Sequence, residues 1–194
     1  GEVSPWRDRP YLVLVGLGTV LAFVFFQIQS TYPLALHRLH GLSEAKIGIL
    51  LAINTVIIVA LEMVLAHALA DARQLRIVAW GSLLFCGGLA LLPLGGGTLF
   101  LAFTVVVWTF GEMLSLPFLQ GIVAVRAGAA RRGSYLGLLN ASFATAYVIA
   151  PTVGTWIFER WGSAALWGLC GGIGVFLLFG FLALDPRFNR RSSA

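Results

Sequence analysis

The sequence predicts an all-α integral membrane protein, a bundle of six transmembrane helices with both termini in the cytoplasm. Three observations predict it. The first is composition: of 194 residues, 59% are hydrophobic and only 11% are charged. A soluble domain carries roughly 25% charged residues. This chain therefore has too little polar surface to cover a globule, and it is too apolar to be disordered. Its mean hydropathy of +0.91 points the same way. The second observation is spacing. Long apolar runs, each near the roughly 20 residues needed to cross a bilayer, recur six times. Transmembrane β-strands are about half that length and alternate inward and outward residues, which these runs do not. The third is the placement of the basic residues. With six spans, Arg7, Arg9, Arg73, Arg76, Arg126, Arg131, Arg132, Arg187, Arg190 and Arg191 fall on one side, against Arg38, Lys46 and Arg160 on the other. Cytoplasmic loops carry the excess of Arg and Lys, so both termini are expected there.

Taken in order, residues 1–10 (GEVSPWRDRP) are polar and basic and precede the membrane. The chain opens at Gly1 rather than Met, and no small-residue cleavage site follows the first apolar run. A fragment or a processed chain is expected, not a signal peptide. The spans are read at about 11–32, 46–70, 75–94, 98–125, 133–158 and 163–184, with 185–194 as a cytoplasmic tail. The second span is interrupted only by Glu62, and the fourth only by Glu112. The longest connection, residues 33–45, carries His37 and His40, with only Glu44 nearby as a further ligand. They are read as solvated loop histidines, and no metal site is expected. Cys86 and Cys170 lie inside apolar runs and read as small buried hydrophobes. The arginines between spans are topology signals, so no nucleic-acid partner is implied.

The polar residues inside the spans carry the functional signal. A carboxylate near the bilayer centre is costly and must face a cavity or a partner. Glu112 lies midway along the fourth span. Thr109 and Ser115 are its i−3 and i+3 neighbours, and Gln120 lies about 80° away around the helix. Pro117 removes the hydrogen bond to the Met113 carbonyl, and a kink beside an intramembrane carboxylate is one way to build a moving site. Glu112 is read as protonatable or substrate-facing; the alternative is a Glu tied to polar groups of neighbouring helices. Glu62 is shallower and shares a broad face with Asn54, as a cavity residue or a structural pin near the inner gate. Gln27 and Gln29 are 200° apart on an ideal helix, so at most one can face a given cavity. Asn140 and Tyr147 share one face of the fifth span, where Pro151 predicts a kink. Each of these is as readily an interhelical hydrogen bond as a ligand contact. Gly168 and Gly172 form a GxxxG read as intrachain packing, with dimerisation as the alternative.

Motifs of other classes are missing. There is no long P-loop, no TVGYG-type filter and no HExxH. An intramembrane serine protease needs a His at a span centre, and His37, His40 and His67 are not there. Ser134 in RRGSYLG suits a helix cap. The chain is not expected to be an enzyme or to hold a cofactor.

Several stretches resemble the major facilitator superfamily. HGLSEAKIGILLAINTVIIVALEMVLAHALADARQLR is similar to the seventh-to-eighth helix region of its transporters. FGEMLSLPFLQGIVA and RRGSYLGLLNASFATAYVIAPTVG resemble the tenth and eleventh helices, and RDRPYL the end of the central cytoplasmic loop. Leu69-Ala70-Asp71 with Arg73 and Arg76 is similar to the second-half copy of the family's cytoplasmic loop motif, with His67 and Gln74 where its glycines would stand. Ala150-Pro151-Thr152-Val153-Gly154 resembles the second-half echo of the GPxxG element of antiporters. GEMLSLP is closest to bacterial drug:proton antiporter-like members, although peptide:proton symporters carry a related motif.

The resemblance implies the C-terminal six-helix half of a twelve-helix transporter. It implies that the first and fourth spans line a central cavity, that the second and fifth meet the N-terminal half, and that the third and sixth lie outside. Glu112, Thr109, Ser115, Gln120, Gln27 and Gln29 are then the candidates for proton coupling and the substrate cavity. Glu62, Asn54, Asn140, Tyr147, Pro151, Asp71, Arg73 and Arg76 are the candidates for the interface between halves or its gate. The implied partners are the lipid bilayer, an N-terminal half from the same chain or a second protomer, a small-molecule substrate and protons. The implied activity is proton-coupled export of small drug-like molecules by alternating access in the inner membrane. The alternative is a stand-alone six-helix module, either a homodimeric permease or a non-transporting scaffold.

Overall fold

The computed structural model describes residues 4–189. Arg190, Arg191 and the remainder of the predicted tail lie outside the described residues, as do residues 1–3. All regular structure among the described residues is helical: α1 (Arg9–Phe25), α2 (Thr31–His40), α3 (Glu44–Ala68), α4 (Gln74–Ala90), α5 (Thr98–Trp161) and α6 (Ser163–Asn189), with short 3-10 turns at Pro5–Arg7 and Leu92–Leu94. Four stretches are long and apolar enough to cross a membrane: Glu44–Ala68, Gln74–Leu94, Thr98–Trp161 and Ser163–Phe188. α1 is apolar but shorter.

Two features differ from the simple run of spans. The 64-residue α5 contains non-helical backbone at Gly128, with φ 65° and ψ 177°. That conformation is open essentially to glycine alone. Residues 98–127 and 129–161 are therefore two helices meeting at Gly128 with no loop between them. The segment read as a first span over 11–32 and a loop over 33–45 is corrected. Helix stops at Phe25, turns through 26–30 and resumes as α2 to His40. Pro33 explains the break, because it cannot donate to the Gln29 carbonyl one turn back. The ladder instead tightens, with Gln27 N–H on Val24 O at 3.1 Å, then widens, with Tyr32 N–H on Gln27 O at 2.9 Å. Gly41, at φ 61°, closes α2 with a left-handed cap.

α4 packs on the first segment of α5 through glycines on both helices. A Cβ added at Gly81 would lie 2.8 Å from the Leu114 backbone, and one at Gly88 would lie 2.7 Å from Trp108 N. One at Gly111 would overlap the backbone of Phe85. Small residues thus let the two backbones touch, which is how helices associate where lipid removes the hydrophobic drive. Gly111→Ala is expected to destabilise the full-length protein by about 1–3 kcal/mol through overpacking. Gly87→Ala on the same helix pair, where nothing lies within 4 Å of the added carbon, is the control. Thermal unfolding in detergent measures both; equal midpoints would refute the close-approach account.

The opposite extreme is α3, where only Ile47 and Leu50 are buried. Val56, Val59, Met63 and Val64 are 63–79% exposed. This apolar helix presents most of its surface outward.

A buried polar cluster ties the start of α1 to both segments of α5 and to the end of α6. Asp8 caps α1 by accepting from Tyr11 N–H at 3.3 Å. Its carboxylate also accepts Arg126 Nη2–H at 2.6 Å, Arg126 Nε–H at 2.7 Å and the Tyr135 hydroxyl at 3.2 Å. Tyr11 Oη donates to the Tyr135 carbonyl at 2.6 Å, and the Arg126 guanidinium sits 4.2 Å from the centre of the Phe188 ring. At the far end of α5, Arg38 and Glu159 approach to 3.7 Å. Both are exposed, so that pair contributes little.

Burial by itself pushes the Asp8 carboxyl up, but Arg126, the Tyr11 amide and the Tyr135 hydroxyl outweigh it and hold the group below its usual range. A depressed folded-state value adds stability above the unfolded carboxylate range, and that stability is lost as pH falls through the folded value. Unfolding midpoints between neutral pH and about pH 3 should therefore drop less steeply in Asp8→Asn, from a lower neutral starting point. An unchanged acid slope would remove Asp8 from the acid response.

Candidate functional site

The strongest polar constellation within the membrane-spanning region joins α3 to α5. Glu112 lies in the first segment of α5 and is partly buried. Asn54 of α3 donates one amide hydrogen to Glu112 Oε2 at 2.9 Å and another to Thr109 Oγ1 at 3.1 Å. Thr109 is fully buried and donates its own hydroxyl to the Val105 carbonyl at 2.6 Å. Its lone pairs are thereby left to accept Asn54. The helical spacing that places Thr109 beside Glu112 also lets one amide bridge both. Among the described residues, Asn54 is the one hydrogen-bond donor to the Glu112 carboxylate, and no Arg, Lys or His pairs with it.

Glu112 and Asn54 border a cavity of about 380 Å³. The bent α1–α2 junction supplies Phe25, Ile28, Gln29 and Pro33, α3 supplies Leu51, and α5 supplies Trp108. The wall is mainly apolar, with one carboxylate and two amides. Such a site holds a lipophilic molecule by area and orients it by few polar contacts. The carboxylate can take a proton or face a cation. Behind the cavity, Tyr32 meets Trp108 and Trp167 edge-on, with ring centroids 5.9 and 6.3 Å apart. Tyr32 Oη, Trp108 Nε1 and Trp167 Nε1 are buried with no hydrogen-bond partner among the described residues.

The remaining candidates are dispersed. Gln27 is fully buried but outside the cavity: its Nε2 donates to Ala150 O at 3.0 Å and Phe23 O at 3.3 Å, and its Oε1 accepts from Thr31. It fastens the α1–α2 bend to α5 beside Pro151 and packs on Gly154, where no Cβ would fit. Gln29, by contrast, is exposed and lines the cavity. Ser115 is buried and turned back on its own helix, donating to Gly111 O at 2.7 Å. Gln120 is exposed and away from the cavity. Glu62 is partly buried, does not line the cavity and has no hydrogen-bond partner among the described residues. The Asn54 amide points to Glu112, not toward Glu62. Asn140 and Tyr147 are exposed on the second segment of α5, with the Tyr147 ring edge-on to Phe26 at 5.0 Å. Asp71 is exposed, and Arg76 Nε and Arg73 Nη1 lie 3.0 and 3.6 Å from Asp185 Oδ2.

The sequence does not mark out several residues of these sites for the roles they take. Trp108 stands one helical turn before Glu112, so spacing alone could have marked it. Asp185 falls at the start of the predicted tail, yet α6 continues through it to Asn189. Asp8 and Arg126 look like loop charges and are in fact almost fully buried partners.

Comparison with known proteins places these observations in context. The chain matches the Major Facilitator Superfamily over residues 14–194. It is 25% identical over 154 residues to the "Uncharacterized MFS-type transporter YqjV" of Bacillus subtilis (strain 168), covering 78% of this chain and 37% of that protein. It is 23% identical over 159 residues to the "Na(+), Li(+), K(+)/H(+) antiporter" of Planococcus maritimus, covering 75% of this chain and 38% of that protein. The chain thus spans less than two thirds of the length of these relatives.

Proposed function

The chain belongs to the Major Facilitator Superfamily, and on that premise we propose that it is the C-terminal six-helix half of a proton-coupled secondary transporter. The family and the apolar helices make it part of a multi-pass membrane transporter in contact with lipid. The finer reading is alternating access: this half, with both termini cytoplasmic, rocks against an N-terminal half around a midplane site. Small drug-like molecules leave the cell through the inner membrane in exchange for protons. Relatives of more than twice its length support the assignment as a half. So does the exposed apolar surface of α3, which is where the partner half would pack.

The observation that carries proton coupling is Glu112, a carboxylate in the wall of an open apolar cavity with a single amide donor. Loading a proton removes the charge penalty and changes which conformation is favoured. The antiporter relative supports this direction. Its printed cations favour a second reading, in which a monovalent cation is the exported species. In everted vesicles holding the full-length protein, a lipophilic cationic dye should accumulate against its gradient when the lumen is acid, and a protonophore should abolish it. Dissipation of the pH gradient by Na⁺, Li⁺ or K⁺ without dye transport would favour the second reading. Dye accumulation unaffected by the protonophore would refute proton coupling.

A further inference from the structure

Away from the Glu112 cavity, the outer face of α4 and α5 carries a groove whose two ends differ in chemistry. At one end is an open cavity of about 420 Å³ bordered by Arg73, Arg76, Trp80 and Leu114. It adjoins a second, of about 470 Å³, that shares Trp80 and Leu114 and continues along Leu84 to Gly87. Arg76, Trp80, Leu84 and Gly87 follow one stripe of α4, each three or four residues after the last, and Arg73 stands just before it as the N-cap residue. The groove is therefore cationic at the start of α4 and apolar after it. Trp80 and Leu84 are 58% and 38% exposed, so none of the described residues covers the groove. Gly87 leaves a notch in its floor, with nothing within 4 Å of the position a Cβ would take.

We propose that this groove binds one anionic glycerophospholipid, its phosphate at Arg73 and Arg76 and one acyl chain laid along Trp80, Leu84 and Gly87. The charge balance fits. Both guanidiniums are directed at a single carboxylate, Asp185, and each remains more than half exposed. Among the described residues one positive charge is left over at the groove mouth, while Asp71 lines a separate cavity that Arg73 also borders. The length also fits. From Arg76 to Gly87 the helix rises roughly 16 Å, close to the depth of one leaflet of a hydrocarbon core about 30 Å thick. Basic pockets between membrane helices recognise anionic headgroups in this way.

The test is native mass spectrometry of the full-length protein, delipidated and titrated with phosphatidylglycerol or phosphatidylcholine. Wild type should retain one phosphatidylglycerol about tenfold more tightly than phosphatidylcholine. Arg73→Gln with Arg76→Gln should erase that preference. Gly87→Phe should fill the notch and weaken both lipids about tenfold, with the unfolding midpoint unchanged. Asp185→Asn covers the case in which the double Arg variant misfolds: it leaves both guanidiniums for the phosphate and should preserve or strengthen the preference. Equal retention of the two lipids by wild type, wild-type retention by Gly87→Phe, or loss of the preference in Asp185→Asn would overturn the site. So would a dimer of the protein that Gly87→Phe dissolves while no lipid is retained.

Discussion

Glu112→Gln is expected to leave the full-length transporter folded and inserted but to reduce proton-driven accumulation to background. The amide keeps the volume of a protonated carboxyl and can still face the Asn54 amide, which holds Glu112 Oε2 at 2.9 Å in the native protein. What it cannot do is release a proton. A transporter that couples by loading and unloading that proton therefore loses its driving cycle, whereas binding or exchange that needs only the neutral state survives. Glu62→Gln should have the smaller effect. Glu62 lies outside the cavity wall and nearer the α3 terminus. Asn54→Ala falls between them: it removes the donor and exposes the carboxylate to the cavity, and membrane hydrogen bonds of this kind average about 0.6 kcal/mol. The measurement is dye accumulation under an imposed pH gradient, normalised to expression, with efflux and counterflow in parallel. Wild-type accumulation in Glu112→Gln together with loss in Glu62→Gln would move the coupling site to α3. Full activity in both would take proton coupling out of this half.

The all-helical class and the membrane environment were legible in the sequence because they follow from composition and run length, which need no tertiary knowledge. Glu112 stood out as a candidate in the sequence because a lone carboxylate in a long apolar run has few explanations, and its place at a cavity wall agrees with that candidacy. Its partner did not stand out. Asn54 shares a helix face with Glu62, and only the crossing of α3 over α5 decides which carboxylate its amide meets. The bend at 26–30 was hidden for a different reason. Pro33 reads equally well as the first residue of a loop or the third of a resumed helix, and only the cap at Gly41 separates the two. Gln27 illustrates the ambiguity of intramembrane amides: its buried position beside Ala150 makes it a fastener, while Gln29, two residues on, faces the cavity. Arg126 reads from sequence only as a topology signal, and nothing in the sequence marks Asp8 or Asp185, because charge near a span end usually means solvent. Their pairing depends on which helix ends converge, and sequence distance does not report that.

Arg126→Met is expected to be the most destabilising single change in the helical framework, more so than any glycine substitution at the α4–α5 contact. Arg126 and Asp8 have side chains only 6% and 3% exposed, and they meet at 2.6 Å. Removing one member of a buried pair costs about 3–5 kcal/mol, because the other charge is left in a poor dielectric without compensation. Here the loss would spread further. Asp8 also caps α1 and accepts from Tyr135, so an unpaired, protonating Asp8 loosens the start of α1 from the segment of α5 beyond Gly128. The double variant Asp8→Asn, Arg126→Met separates the two contributions. Asn keeps a cap oxygen for the Tyr11 amide, Met keeps stem volume over Phe188, and no charge remains buried. Replacing a buried ion pair by groups of similar volume is often near neutral, so the double variant should recover most of the stability that Arg126→Met loses. Unfolding of the full-length protein in a series of detergent and denaturant mixtures, at neutral pH and again near pH 4, reads the coupling directly. At the lower pH the penalty of Arg126→Met should shrink, because Asp8 without its guanidinium protonates readily and the charge left behind disappears. A double variant no more stable than Arg126→Met, with a penalty that does not change with pH, would mean that Arg126 acts through packing on Phe188 and not through its charge.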